Sequence, residues 1–346
     1  MIRTIASIAF GLLVATSVFA AEPVTFKDRR IAVLVGYPPG GGADATARLM
    51  APLLAKHLPG SPSSVVENMP GADGINALNY FSKQVKPDGL TIYVGSANEL
   101  DPVRSRSSVA LYDLNKLNFI GGNTRFQSVI VINKLAMSRL LDRGGLPVSM
   151  GTAGFPRSGA QTAAWGIEYL GWNAKWVTGY KGTSELNLAL ERGEIDMTSG
   201  NTNEKMILNL ISGGKVQVVT LAGMAPAGVP VVPEFANAPQ IADQVEGKIR
   251  DPIAKAAFQY WLTINSVEKW LGLPGGTPRA IVETYRKAFA EVSADPAFSK
   301  GAAFLDLVLT DYRHFDEAVK ILDRTPQEAV DFMSSLLRKQ GLAVMR

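Results

Sequence analysis

From residue 31 onward, apolar runs alternate with glycine-bearing loops and amphipathic stretches. Ile31-Ala-Val-Leu-Val35 is a continuous apolar run, the pattern of a parallel strand buried on both faces. Gly36-Tyr-Pro-Pro-Gly-Gly-Gly42 closes it, and a helix pattern runs from Asp44 to about His57. Val65 and Val66 predict a second strand, Gly71 to Gly74 a loop, and Ile75 to Gln84 a helix. Leu90-Thr-Ile-Tyr-Val94 predicts a third strand, followed by the polar loop Gly95-Ser-Ala-Asn98. Strand, glycine loop and helix in alternation predict an α/β fold with a mainly parallel sheet.

Val129 to Ile132 predicts another strand, and Gly144-Gly145 a joint after it. Val148-Ser-Met-Gly151 then opens a second unit on the same plan. A strand leads into Gly154-Phe-Pro-Arg-Ser-Gly159, and a helix is predicted from about Gln161 to Leu170. Strands at Trp176-Val177, Ile195 to Met197 and Val216 to Leu221 alternate with helices over 183–192 and 203–212. A proline-rich passage follows, then a helix around 252–260 and the segment Trp270 to Leu273. Thr277 to Ala294 and Asp316 to Lys339 each predict one amphipathic helix. Two similar units imply two lobes around a cleft, with the glycine loops at the carboxyl ends of strands where such sheets bind ligands.

Composition removes several function classes. Of 346 residues, 47% are hydrophobic and 19% charged, enough to bury a core in each of two domains. The net charge is +4 and no Lys/Arg block stands out, which argues against a nucleic-acid partner. With no Cys, disulfide scaffolds, thiolate metal sites and Cys nucleophiles are excluded. Only His57 and His314 are present, which argues against a His-rich metal centre and a His-dependent triad. No cofactor is expected.

Residues 1–20 read as a signal peptide. Arg3 is the positive start, Ile5 to Val14 the short apolar core, and Val18-Phe19-Ala20 the small-x-small pattern before cleavage after about Ala20. The polar residues from Glu22 follow at once, and the run is too short to span a membrane comfortably. The expected mature protein is exported, to a bacterial periplasm.

The two glycine loops are the candidate chemistry. Pro38-Pro-Gly-Gly-Gly-Ala-Asp44 lies between a strand and a helix N-terminus, so its backbone N–H groups and the helix dipole suit a carboxylate or phosphate. An ordinary tight turn fits the same residues. No Lys-Ser/Thr follows the glycines, and the spacing fails GxGxxG, so neither nucleotide loop is present. Asp44 is expected as the N-cap of its helix. Arg157 in the second loop either forks onto a carboxylate or is a solvated charge. The five Trp are expected in packing rather than as ligand platforms.

Several spaced motifs together resemble a known family. Val35-Gly-Tyr-Pro-Pro-Gly-Gly-Gly-Ala-Asp44, Val66-Glu-Asn-Met-Pro-Gly-Ala-Asp-Gly74, Gly179-Tyr-Lys-Gly-Thr183 with Gly193-Glu-Ile-Asp-Met197, and Leu273-Pro-Gly-Gly-Thr-Pro278 resemble the tripartite tricarboxylate transporter substrate-binding proteins, or Bug family. The resemblance spans essentially all of the mature chain. It implies a two-lobed periplasmic binding protein of the type II kind, each lobe a mainly parallel sheet flanked by helices, with the ligand cleft between lobes. The implied division is 21–125 for the first part of lobe 1, 126–266 for lobe 2, and 267–346 for the return to lobe 1. It further implies a monomer that captures a small carboxylate and delivers it to membrane permease subunits. The loops implied to hold the carboxylate correspond to Tyr37, Pro39, Gly40, Gly41, Gly42 and Asp44, and to Phe155, Arg157, Ser158, Gly159, Ala160 and Gln161. Ser96, Asn98 and Asn201 complete the candidate set. Gly179 replaces a usual Pro, Pro156-Arg157 is atypical, and 241–259 reads as an insertion. A subunit presenting the carboxylate to a sensor kinase would use the same chemistry. A periplasmic hydrolase would need an activated Ser or a metal, and neither His has a motif linking it to Ser158.

Overall fold

The computed structural model describes residues 23–124, 127–153, 158–180, 183–201, 205–223, 233–305 and 308–342. The predicted signal peptide, most of the proline-rich passage and Lys181-Gly182 lie outside them. The strands are β1 (Arg30–Val35), β2 (Ser63–Asn68), β3 (Thr91–Ser96), β4 (Asn118–Thr124), β5 (Ser128–Asn133), β6 (Val148–Ala153), β7 (Ala174–Tyr180), β8 (Met197–Asn201), β9 (Val216–Ala222), β10 (Lys269–Leu273) and β11 (Val308–Asp311).

These strands form two sheets, in the orders β11-β4-β10-β3-β1-β2 and β7-β6-β8-β5-β9. Both are mixed. β1 pairs in parallel with β2 and β3, while β10 runs against β3 and β4. In the second sheet β6 pairs in parallel with β7 and β8, while β5 runs against β8 and β9. Apart from β11, which runs against β4 at the edge of the first sheet, the two plans match: in each sheet a reversed strand is inserted between the third and fourth forward strands. β5 enters the second sheet directly from β4, and β10 enters the first on the way back.

Burial explains the apolar runs. Ile31, Val33 and Val35 of β1 pack against Ala47, Met50 and Leu54 of helix Gly42–His57, while Leu34 points into a second cluster with Leu78, Phe81 and Trp270. A strand covered on both faces needs apolar residues at nearly every position. The second sheet is covered by Trp165, Phe258 and Trp261. The stretch 241–259 supplies Ile241, Val245, Ile249, Ala254 and Phe258 to that core, so it is structural covering. Trp172 is also buried and Trp176 partly so, in the same cluster.

Four expectations need correction. The helix expected over 316–339 is two helices, Tyr312–Arg324 and Gln327–Lys339, because Pro326 lacks an N–H and drives Thr325 out of helical geometry (ψ 122°). The second of these places Ala329, Met333, Leu336 and Leu337 in the core of the second sheet, whereas β10 and β11 return to the first. The loop expected at 95–98 is the end of β3 followed by a helical turn, Ala97–Leu100. Gly144-Gly145 is a turn between β5 and β6, inside the second unit; the crossing between sheets lies between Thr124 and Ser128.

Candidate functional site

The first loop joins β1 to helix Gly42–His57. Pro38, Pro39, Gly40, Gly41 and Gly42 are all exposed. Gly41 occupies the N-cap position, where no side chain caps the helix. First-turn N–H groups have no partner within a helix, so these donors and the positive end of the dipole are open to an anion. Gly40 has φ +85°, the left-handed region, and Gly41 has φ −81°. The backbone that demands glycine is therefore Gly40.

Asp44 is not the N-cap. It lies inside the first turn, 2% exposed, and braces the loop from beneath. Its Oδ2 accepts from the Gly40 N–H and from Arg48 Nε, both at 2.9 Å, and its Oδ1 accepts from Asn68 Nδ2 at 2.9 Å. Asn68 also donates to the Tyr37 carbonyl at 3.0 Å, tying the end of β2 to the loop. The Arg48 bond above all, with the Gly40 and Asn68 bonds, lowers the Asp44 carboxyl from 3.8 to about 2. Asp44 is thus committed as a scaffold. Arg48 and Asn68 were missed in the sequence, although Arg48 at i+4 from Asp44 is a readable signal.

The Asp44→Ala protein should lose about 1–3 kcal/mol of stability at pH 7, because three donors lose their acceptor. A depressed folded pKa contributes stability that is present above the unfolded value and lost as pH falls through the folded one. Denaturant melts should therefore show wild type and variant converging between pH 3.8 and about 2.

Tyr37, Ser96 and Asn98 meet beside the first loop. The Tyr37 hydroxyl donates to the Asp73 carbonyl at 2.8 Å and lies 2.7 Å from Ser96 Oγ. Burial, reinforced by the charge of Glu99, pushes the phenol far above its ordinary range, so it stays a neutral hydroxyl. Ser96 caps the turn Ala97–Leu100: its Oγ accepts from the Asn98 N–H at 3.2 Å, and Glu99 Oε2 accepts from the Ser96 N–H at 2.8 Å. Asn98 is exposed and contributes backbone to this cap.

Of the second loop, Phe155 and Arg157 lie outside the described residues, and only the backbone of Ser158 and Asn201 is described. Ser158 opens helix Ser158–Trp165, which follows β6, and Asn201 ends β8. Gly159 sits so close to Ser199 of β8 that a Cβ would overlap that side chain. Ala160 is 4% exposed and packs into the core, so it can offer a ligand only its backbone. Gln161 Oε1 accepts from Trp261 Nε1 at 3.1 Å.

Both groups therefore lie at the carboxyl ends of forward strands, β1 and β3 in one sheet and β6 and β8 in the other. Hydrogen bonds join Tyr37, Gly40, Asp44, Ser96 and Asn98 through Asn68, Asp73 and Glu99. His57 is taken up elsewhere, with Nε2 2.9 Å from Asp295 and Nδ1 3.3 Å from Glu291. Among the described residues no group of three or more His, Asp or Glu could hold a metal ion, and no helix is long and apolar enough to cross a membrane.

No protein-family model matches this chain. A UPF0065 protein of Bordetella pertussis is 29% identical over 306 residues, covering 78% of this chain and 89% of that protein. Protein BugT of the same organism is 38% identical over 91 residues, 25% of this chain and 27% of BugT. A crystal structure of a TctC solute-binding protein from Polaromonas matches with a TM-score of 0.65 at 18% identity, covering 91% of this chain and all (100%) of that one. The periplasmic binding protein BugD matches at TM-score 0.50, 20% identity, and 92% and 100% coverage. Rpa4515 of R. palustris with adipate matches at TM-score 0.51, 18% identity, and 91% and 99% coverage. These likenesses establish the two-sheet binding-protein fold and UPF0065/Bug homologues for the chain.

Proposed function

We propose that this chain, a homologue of the UPF0065 and Bug proteins with the fold of TctC and BugD, is a periplasmic solute-binding protein that captures a small carboxylate for a tripartite tricarboxylate-type membrane transporter. The single observation that carries this reading is the first loop. It presents exposed glycine amides at the uncapped N-terminus of a helix of 16 residues, braced from below by a carboxylate whose charge is already spent on Arg48. Such a loop attracts an anion and offers it no nucleophile. The adipate held by one structural neighbour is an anion of the same class. On this reading the protein is a monomer, not an enzyme, exported by residues 1–20 and docking with permease subunits.

Both loops contribute, the second through the helix N-terminus at Ser158–Gln161 and through Arg157, whose guanidinium takes the far polar end of a dicarboxylate. Thermal-shift titration of the mature protein against mono-, di- and tricarboxylates tests the reading. A ligand at 100 times its dissociation constant should add about 2.7 kcal/mol. Dicarboxylates should give the larger shift, and Arg157→Ala should weaken them more than matched monocarboxylates. A flat response to every carboxylate would refute the reading.

A further inference from the structure

Directly across the sheet from Ser96 lies a lysine that no sequence motif marks. Lys269 of β10 is opposite Ser96 of β3 on one side and Asn123 of β4 on the other. Opposed residues on antiparallel strands share a face with Cβ atoms about 4.5–5.5 Å apart. That face is the one covered by helix Gly42–His57, since Leu271, two residues along β10, packs with Ala43 and Ala47. Because β10 runs backwards, its first residue lies at the same edge as the last residues of β1 and β3. A Cβ on Gly42 would sit 3.8 Å from Lys269 Cε, so the lysine stem lies against the glycine loop.

The Lys269 side chain is 13% exposed. Its Nζ donates to Glu268 Oε1 at 2.5 Å and more weakly to the Glu268 carbonyl at 3.4 Å. An ammonium has three donors, so one remains for a further acceptor. Beside it Asn123 is 2% exposed, and its Oδ1 is a buried acceptor with no partner among the described residues. Among the described residues its amide nitrogen reaches the Thr124 carbonyl, at 3.5 Å. A buried acceptor without a donor is destabilising, and a donor brought by a ligand removes that cost.

We propose that Lys269 and Asn123 form a specificity-determining subsite beside the glycine loop, which selects a carboxylate carrying a hydroxyl group. The ligand's carboxylate accepts from the loop amides and from Lys269 Nζ, and its hydroxyl donates to Asn123 Oδ1. Glu268 is the counter-ion that holds the ammonium while the site is empty. This inference rests on the carboxylate-binding reading above and deepens it.

Malate and succinate, dicarboxylates that differ by one hydroxyl, are suitable probes, titrated calorimetrically into the mature protein. Wild type should bind malate at least tenfold more tightly than succinate. Lys269→Met, which keeps the apolar stem, should weaken both at least tenfold. Asn123→Ala should bring malate down to the succinate affinity and leave succinate nearly unchanged. A normally melting Lys269→Met protein with wild-type affinities would overturn the inference, as would equal binding of the two acids by wild type. Should Asn123→Ala fail to fold, the wild-type ratio and Lys269→Met decide between them. Binding of no carboxylate by wild type would instead overturn the underlying reading, and this subsite with it.

Discussion

Trp270→Ala should destabilise the protein by about 3–5 kcal/mol, the usual range for truncating a fully buried large aromatic. Trp270 is 0% exposed, in the middle of the first sheet's inner cluster. Its ring lies 5.2 Å from that of Tyr93 and meets Phe119 edge-on at 5.3 Å. It fills the space where a side chain at Gly95 would stand, and Nε1 donates to the Ser96 carbonyl at 2.9 Å. Truncation opens a cavity and also frees the end of β3, on which Ser96 and the turn to Asn98 are built. Chemical denaturation should show the full loss. At temperatures where the variant stays folded, carboxylate titration should show weaker binding as well. Trp270→Phe should recover most of the stability while losing the indole bond to the Ser96 carbonyl. A Trp270→Ala protein within 1 kcal/mol of wild type would mean that the cavity collapses, and the account of β3 would need revision.

The same tryptophan shows where sequence reading succeeds and where it stops. β1 and helix Ile75–Gln84 were legible because their burial is written in the order of apolar residues. β4 was not. Its Gly121-Gly122 looks like a turn, yet a side chain at either position would strike the Phe289 ring or the Lys269 backbone. These glycines record the close approach of neighbours remote in sequence. β11 is a four-residue edge strand with no buried residue, too weak a pattern to detect. Of the site, the glycine loop was legible, because strand, glycines and helix are consecutive. The brace of Asp44 by Asn68 and the placing of Lys269 beside Ser96 depend on pairing registers across long loops. No local pattern encodes such pairings.

Glu99 is the position where chemistry and stability meet most directly. It is 0% exposed, and three donors surround it: the Ser96 N–H and Oγ on Oε2, each at 2.8 Å, and the Tyr93 hydroxyl on Oε1 at 3.1 Å. Burial raises its pKa, and the Ser96 bonds only partly offset this. A carboxyl with a raised folded pKa takes up a proton on folding, so stability falls as pH rises from the unfolded value, 4.5, through the folded one. Glu99→Gln should abolish that slope. Its amide oxygen can accept both Ser96 bonds, and its NH2 can donate to Tyr93, whose hydroxyl then donates to the Gly74 carbonyl at 3.2 Å. Stability at pH 7 should stay within about 1 kcal/mol of wild type or exceed it, since no buried charge remains. Glu99→Ala removes every acceptor, leaves the Ser96 N–H unpaired and opens a void, costing about 2–4 kcal/mol. It also releases Ser96 from one side, so the Tyr37–Ser96 contact beside the glycine loop should loosen and carboxylate affinity should fall. Denaturant melts of the three proteins from pH 4 to 8, with ligand titration at pH 7, separate the two roles. A pH slope that persists in Glu99→Gln would show that another group carries it. Unchanged affinity in a folded Glu99→Ala would remove Ser96 and Tyr37 from the binding geometry.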